Sequence, residues 1–283
     1  MPCSLIVNGY PNHAVPPAHV QGPVLQGMFL HLMTEVDPTV GGRLHADSRY
    51  RPYTLSPLGI GERGKTFRGF QLPREKLLPA GTPCYFRVTF LDDLLLPIFA
   101  RYFLSRQEPT FRLGEIEFTV TQIIANPESG NVWSQASSYN ELIARAQQAN
   151  PQRQLSLRFL TPTSFRKGDV DLPLPLPRLV FQSYWKRFQE FQAFDFLPDL
   201  VELVDRHTGI AQINHLRTDT IKTKNVTLTG FTGEVRFELS KHAPPELVWQ
   251  MNLLADFAFF CGTGKKTTVG MGQTLRVPSE FIT

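Results

Sequence analysis

Two stretches of this chain concentrate groups that move protons and hold phosphates. The first, GGRLHADSRYRPYTLSPL, runs from Gly41 to Leu58 and is expected to place His45 in a polar loop after a double glycine, with Arg43, Arg49 and Arg51 close by. Histidine takes and gives protons near neutral pH. Arginine grips a phosphate bidentately and stabilises charge developing on it. The second, CGTGKKTTVGMG, spans Cys261 to Gly272 and holds no acidic residue. Gly262-x-Gly264 and Gly270-x-Gly272 bracket Lys265, Lys266, Thr267 and Thr268. Glycines let a backbone approach another chain and expose its N–H groups, while lysines and hydroxyls suit phosphate oxygens. A third stretch, LRFLTPTSFRKG, ends in Arg166, Lys167 and Gly168. That basic turn suits a nucleic-acid backbone, or no ligand at all.

The glycine loop fits neither nucleotide template. A P-loop needs a glycine where Phe259 stands and Ser or Thr where Lys266 stands. The dinucleotide fingerprint needs a glycine at Thr267. Both templates also require a strand before the glycines and a helix after them. Here PPELVWQMNLLADFAFF upstream reads as a helix, with Leu247, Met251, Leu254 and Ala258 on one face, and Thr274–Val277 downstream as a strand. Adjacent Asp92 and Asp93 point in different directions and make a poor acid/base pair. By itself, His31 beside Phe29, Leu30 and Leu32 reads as a structural histidine.

The elements that must position these groups fall into two similar rounds. A strand at Ser4–Val7 and a helix from about His19 to Val36 lead into extended segments at Tyr53–Leu58 and Lys65–Gln71. A strand at Thr82–Leu91, a helix at Leu94–Leu104 and a strand-rich Thr110–Ile124 with a turn near Gly114 complete the first round. Asn126, Pro127 and Gly130 suggest a linker containing a short helix at Tyr139–Gln148. The second round starts with LSLRFL and a helix at Arg178–Phe191. Its Phe181, Tyr184, Phe188 and Phe191 fall at helical spacing and predict core packing rather than base stacking. Strands at Ala211–Leu216 and Val226–Leu239 precede the last helix, the loop and the final strand. Two rounds of β-α-β-β-α-β predict an α+β chain of two tandem ferredoxin-like (RRM-like) domains, residues 1–130 and 131–283, the second carrying the glycine-rich loop.

The composition sets bounds. The 283 residues are 42% hydrophobic with 22 Phe, enough for a real core. A net charge of +4 permits a polyanionic partner without requiring one. Three scattered cysteines form no zinc pattern and fit a reducing cytoplasm. No basic, apolar leader opens the chain, and no stretch is long and apolar enough to span a bilayer.

Taken together, four stretches resemble the CRISPR-associated endoribonucleases of the Cas-six family, within the RAMP superfamily. They are the G-x-G-x5-G-x-G loop at Gly262–Gly272, LRFLTPTSFR, GRLHADSRYRPYTLSPL, and GFTGEVRFEL at Gly230–Leu239. The resemblance implies cleavage within a CRISPR repeat RNA, single-stranded or stem-loop, to release guide RNAs. The implied reaction needs no metal or other cofactor: the 2′-hydroxyl attacks the adjacent phosphate, leaving a 2′,3′-cyclic phosphate and a 5′-hydroxyl. His45 matches the family's catalytic histidine. Arg51 stands where many members carry a lysine; it can stabilise a transition state but cannot donate a proton. His31 is the nearest polar candidate for a first-helix tyrosine of the family; Arg49 is the alternative to Arg51, and Tyr53 a further, weaker option for the site. Lys265, Lys266, Arg166, Lys167, Arg43, Arg49 and the loop backbone would hold the RNA. The resemblance also admits a CRISPR effector complex or a homodimer as partners. Two other classes stay open: a non-cleaving RNA-binding subunit of an effector complex, and a small-molecule enzyme using the loop for a nucleotide.

Overall fold

The computed structural model describes residues 1–46, 50–61, 77–125, 130–222 and 227–277. The chain divides into two units. One gathers Met1–Ala136 with Thr268–Gly270; the other holds Ser137–Ile221, Thr227–Thr267 and the segment from Met271.

In the first unit, β1 (Cys3–Pro11) leads through α1 (Gly22–Val36) and α2 (Pro38–His45) to β2 (Tyr53–Leu55), β3 (Gly59–Ile60) and β4 (Cys84–Phe90). Then come α3 (Leu95–Leu104), β5 (Thr110–Leu113), β6 (Ile116–Ile124) and β7 (Gln135–Ala136). The sheet runs β2-β4-β1-β6-β5, with β3 beside β4 and β7 beside β1. Every neighbouring pair along that path is antiparallel. Taking β1, β2, β4 and β6 as the four ferredoxin strands, the sheet order is second, third, first, fourth. The core gathers on Phe29 of α1, whose ring centroid lies 4.4 Å from Tyr53, 6.1 Å from Phe90 and 6.0 Å from Phe99. Pro97 falls in the first turn of α3, where a missing N–H costs no hydrogen bond.

The second unit repeats the plan. After α4 (Tyr139–Gln148) come β8 (Gln154–Thr163), β9 (Phe165–Lys167), β10 (Val170–Leu172), α5 (Pro177–Phe191) and α6 (Leu200–His207). They are followed by β11 (Thr208–Lys222), β12 (Thr227–Leu239), α7 (Pro245–Cys261) and β13 (Thr274–Val277). The main sheet runs β11-β12-β8-β13, again second, third, first, fourth. A full capping box starts α4: the Ser138 hydroxyl accepts from the Glu141 N–H, and the Glu141 carboxylate accepts from the Ser138 N–H. Phe181, Tyr184 and Phe188 are buried, as core packing predicts, and Phe188 meets Phe257 of α7 at 5.0 Å. The ferredoxin-like expectation therefore holds in both units.

Three local expectations need correcting. The loop expected around Gly41-Gly42 is helix α2, and His45 is its last residue. The basic turn at Arg166–Gly168 is a hairpin of β9 and β10. Residues 200–207, given no element from sequence, form α6. The expected extended segment at Lys65–Gln71, together with Arg49, Asn126 and Pro127, lies outside the described residues.

Candidate active site

His45 is placed by α2, and the sequence around Asp37 explains why that helix forms. Asp37 is its N-cap: the carboxylate accepts from the N–H of Thr39 at 3.0 Å and of Val40 at 3.1 Å, and Pro38 sits at the first helical position. Gly41 is required there because α2 crosses α1 closely. A Cβ at Gly41 would lie 2.2 Å from the Thr34 hydroxyl and 2.6 Å from its Cα. Gly42 faces open space. The helix ends with His45 exposed to solvent.

Arg51 returns to that end. Its Nη1 donates to the carbonyl oxygens of both Leu44 and Ala46, one on each side of His45. Its charge also reaches Tyr53. Burial raises the Tyr53 phenol above its ordinary value, while the Gln26 hydrogen bond and Arg51 oppose the rise. Gln26 Nε2 donates to the Tyr53 hydroxyl at 3.2 Å and to the Thr268 hydroxyl at 2.9 Å. Sequence reading missed Gln26. Its signal is an amide between Leu25 and Met28–Phe29, on the edge of the apolar face of α1.

The other candidates have partners of their own. His31 stands on the exposed face of α1, with Nε2 3.8 Å from Glu35, which Arg106 also holds. Among the described residues His31 shares no polar partner with His45 or Arg51. Arg43 pairs with Asp92 at 3.1 Å. The three cysteines are buried. Burial pushes the Cys3 thiol up to about 11 and those of Cys84 and Cys261 to about 12, so none supplies a thiolate near neutral pH. Among the described residues no three His, Cys, Asp or Glu side chains converge as metal ligands. Among the described residues no helix is long and apolar enough to cross a membrane.

The glycine loop is folded onto itself. Gly262, Gly264, Gly270 and Gly272 all have positive φ, between 65° and 95°. The N–H groups of Gly262, Thr263, Lys265, Met271 and Gly272 donate to protein carbonyls, including Thr263 to Gly272 at 2.8 Å and Lys265 to Ser164 at 2.9 Å. Those amides are engaged inside the protein rather than turned to a phosphate. Buried Arg187 of α5 donates to the carbonyls of Gly262 and Gly264. Tyr184 and Thr263 share a 2.6 Å hydrogen bond, and Thr263 and Thr274 one of 2.7 Å. Arg187 was also missed from sequence; an arginine three residues after Tyr184, on the aromatic stripe of α5, is its signal. Thr267 is buried.

Asp171 of β10 joins Lys265 of the loop to Arg166 of β9. The Arg166–Asp171 distance is 3.1 Å, and Lys265 meets the other carboxylate oxygen. The Lys265 hydrogen bond, with Arg166 behind it, holds the Asp171 carboxyl below its usual value. Lys266 differs. It is exposed with φ of 58°, and no ion pair engages it among the described residues. Lys167 is exposed on the hairpin.

Two family models cover nearly all of these elements. The model for the CRISPR Cas6 N-terminal domain matches residues 1–144, and that for CRISPR-associated endoribonuclease Cas6 matches residues 157–274. The chain belongs to the Cas6 endoribonuclease family. Among solved structures, one Cas6 product complex aligns at a TM-score of 0.80 and 27% identity, over 98% of this chain and 100% of that one. A second Cas6 product complex aligns at 0.75 and 27%, over 98% and 99%. Thermus thermophilus Cas6 aligns at 0.69 and 27%, over 98% of each chain. A RAMP protein described as binding different RNA substrates, 16% identical with a TM-score of 0.60, shares the fold. No curated protein sequence matches the chain.

Proposed function

We propose that this chain cleaves CRISPR repeat RNA within a precursor transcript and so releases guide RNAs. The match to the Cas6 endoribonuclease family carries this reading. Relatives captured as product and substrate-mimic complexes support it. The reaction is attack of a ribose 2′-hydroxyl oxygen on the adjacent phosphorus. The 2′-O–P bond forms, the P–O5′ bond breaks, the 2′-hydroxyl proton goes to a base and the 5′-oxygen receives one from an acid. The products are a 2′,3′-cyclic phosphate and a 5′-hydroxyl, and no metal takes part. His45 is the proton-transfer group. Its support is an imidazole at the exposed end of a helix whose backbone is fixed on both sides. His31, engaged with Glu35, is the weaker second candidate.

Two tests follow. Purified protein incubated with repeat RNA in excess EDTA should cut at one position at an undiminished rate. Activity lost on chelation would point to a metal nuclease, and tight binding without a cut would mark a non-cleaving RNA-binding subunit. For binding, Lys266→Ala should flatten the salt dependence of RNA affinity by about 0.7 in log–log slope, the loss of one phosphate contact on a single strand. Lys265→Ala should change it less, because Asp171 already neutralises Lys265. An unchanged slope for Lys266→Ala would place that lysine away from the RNA.

A further inference from the structure

We propose that Arg51 is a positioning residue that acts through His45, rather than the cation that meets the scissile phosphate. The inference rests on the reading that His45 transfers the proton. A helix leaves its last carbonyls without intrahelical partners. Helix α2 is only eight residues long, and its last turn is closed by the Ala46 N–H on the Gly42 carbonyl at 3.0 Å. The Leu44 and Ala46 carbonyls lie past that bond, and Arg51 Nη1 takes both. One guanidinium nitrogen carries two hydrogens, so these two bonds use both. A cation at a helix C-terminus also meets the negative end of the helix dipole.

The clamp has a fixed base. Arg51 precedes Pro52, whose carbonyl accepts from the Leu91 N–H at 2.8 Å, and Tyr53 then pairs with Phe90 in the sheet. At the other end of α2, Asp37 caps the helix and Gly41 lies against Thr34. Arg51 therefore ties the outgoing end of α2, and with it the backbone of His45, to β2. Without it the last turn of a short helix frays. A displacement of about 1 Å in a proton-transfer group is enough to cost on the order of 10²-fold in rate.

A double-mutant cycle separates this role from direct phosphate contact. Single-turnover cleavage of repeat RNA at saturating protein, and RNA affinity, would be measured for wild type, Arg51→Ala, His45→Ala and the double variant. Arg51→Ala should slow cleavage by about 10–10²-fold, with affinity within about threefold. In the His45→Ala background the same change should have no further effect, because the group it positions is gone. A full Arg51 effect persisting in that background would overturn the proposal. If His45→Ala leaves cleavage too slow to time, the two phosphorothioate diastereomers at the scissile phosphate decide. Their rate ratio should be the same for wild type and Arg51→Ala, and a ratio that collapses in Arg51→Ala would place the guanidinium on a phosphate oxygen. Undiminished cleavage by His45→Ala alone is a separate outcome that removes the proton-transfer assignment itself.

Discussion

Replacing His45 with alanine should slow single-turnover cleavage of repeat RNA by about 10²–10⁴-fold, the range general acid–base catalysis supplies. RNA affinity should stay within a few fold, because the proposed contacts lie on other residues, Lys266 among them. The loss would not come from unfolding. His45 is exposed at the end of α2, and a surface substitution there changes stability by no more than about 0.5 kcal/mol. Helix α2 keeps its Asp37 cap, its Gly41 contact and the Arg51 clamp, none of which uses the imidazole. A rate within threefold of wild type would take His45 out of the chemistry.

The second large effect is on stability. Gly272→Ala should cost about 2–5 kcal/mol and lower Tm on the order of 10 °C. Gly272 has φ of 70°, and a Cβ there would lie 2.1 Å from the Thr263 carbonyl oxygen. That oxygen belongs to backbone, so it cannot swing aside. Moving it would disturb Thr263, whose N–H bonds the Gly272 carbonyl and whose hydroxyl bonds Tyr184 and Thr274. Gly168→Ala is the matched comparison. It too has positive φ, 59°, but a Cβ there meets nothing within 4 Å, so only the backbone cost of about 1–2 kcal/mol remains. Equal Tm values for the two variants would show that the glycine loop is slack rather than closed on itself.

The repeated β-α-β-β-α-β order was legible because it is written in local periodicity. Strand alternation and helical spacing each report on a few neighbouring residues. The glycine loop's place between helix and strand was legible for the same reason. Its inner geometry was not. The glycines read as a way to offer N–H groups to a ligand, yet many of those amides close on Ser164, Pro162 and the loop itself. Helix α2 was misread because two adjacent glycines look like a loop. The stronger local signals were Asp37 followed by Pro38, and Gly41 is there because Thr34 of α1 leaves no room for a Cβ.

Partners distant in sequence carried the rest. Asp171 finds Lys265 across the fold, so two basic stretches that read separately become one ion-paired cluster. Arg51 read as a free cation near a histidine, and its use on the Leu44 and Ala46 carbonyls depends on how the chain returns to β2. Local sequence shows that a charge is present. The fold decides whether that charge already has a partner, and so whether it is left for a substrate.

The most direct test of the cleavage chemistry is one 2′-deoxy substitution in the repeat RNA, at the nucleotide just 5′ of the mapped cut, assayed in excess EDTA with both product ends identified. Unsubstituted RNA should yield a 2′,3′-cyclic phosphate and a 5′-hydroxyl, and the deoxy substrate should bind but not be cut there. Cleavage of the deoxy substrate at the normal rate, or products with a 5′-phosphate, would contradict this chemistry.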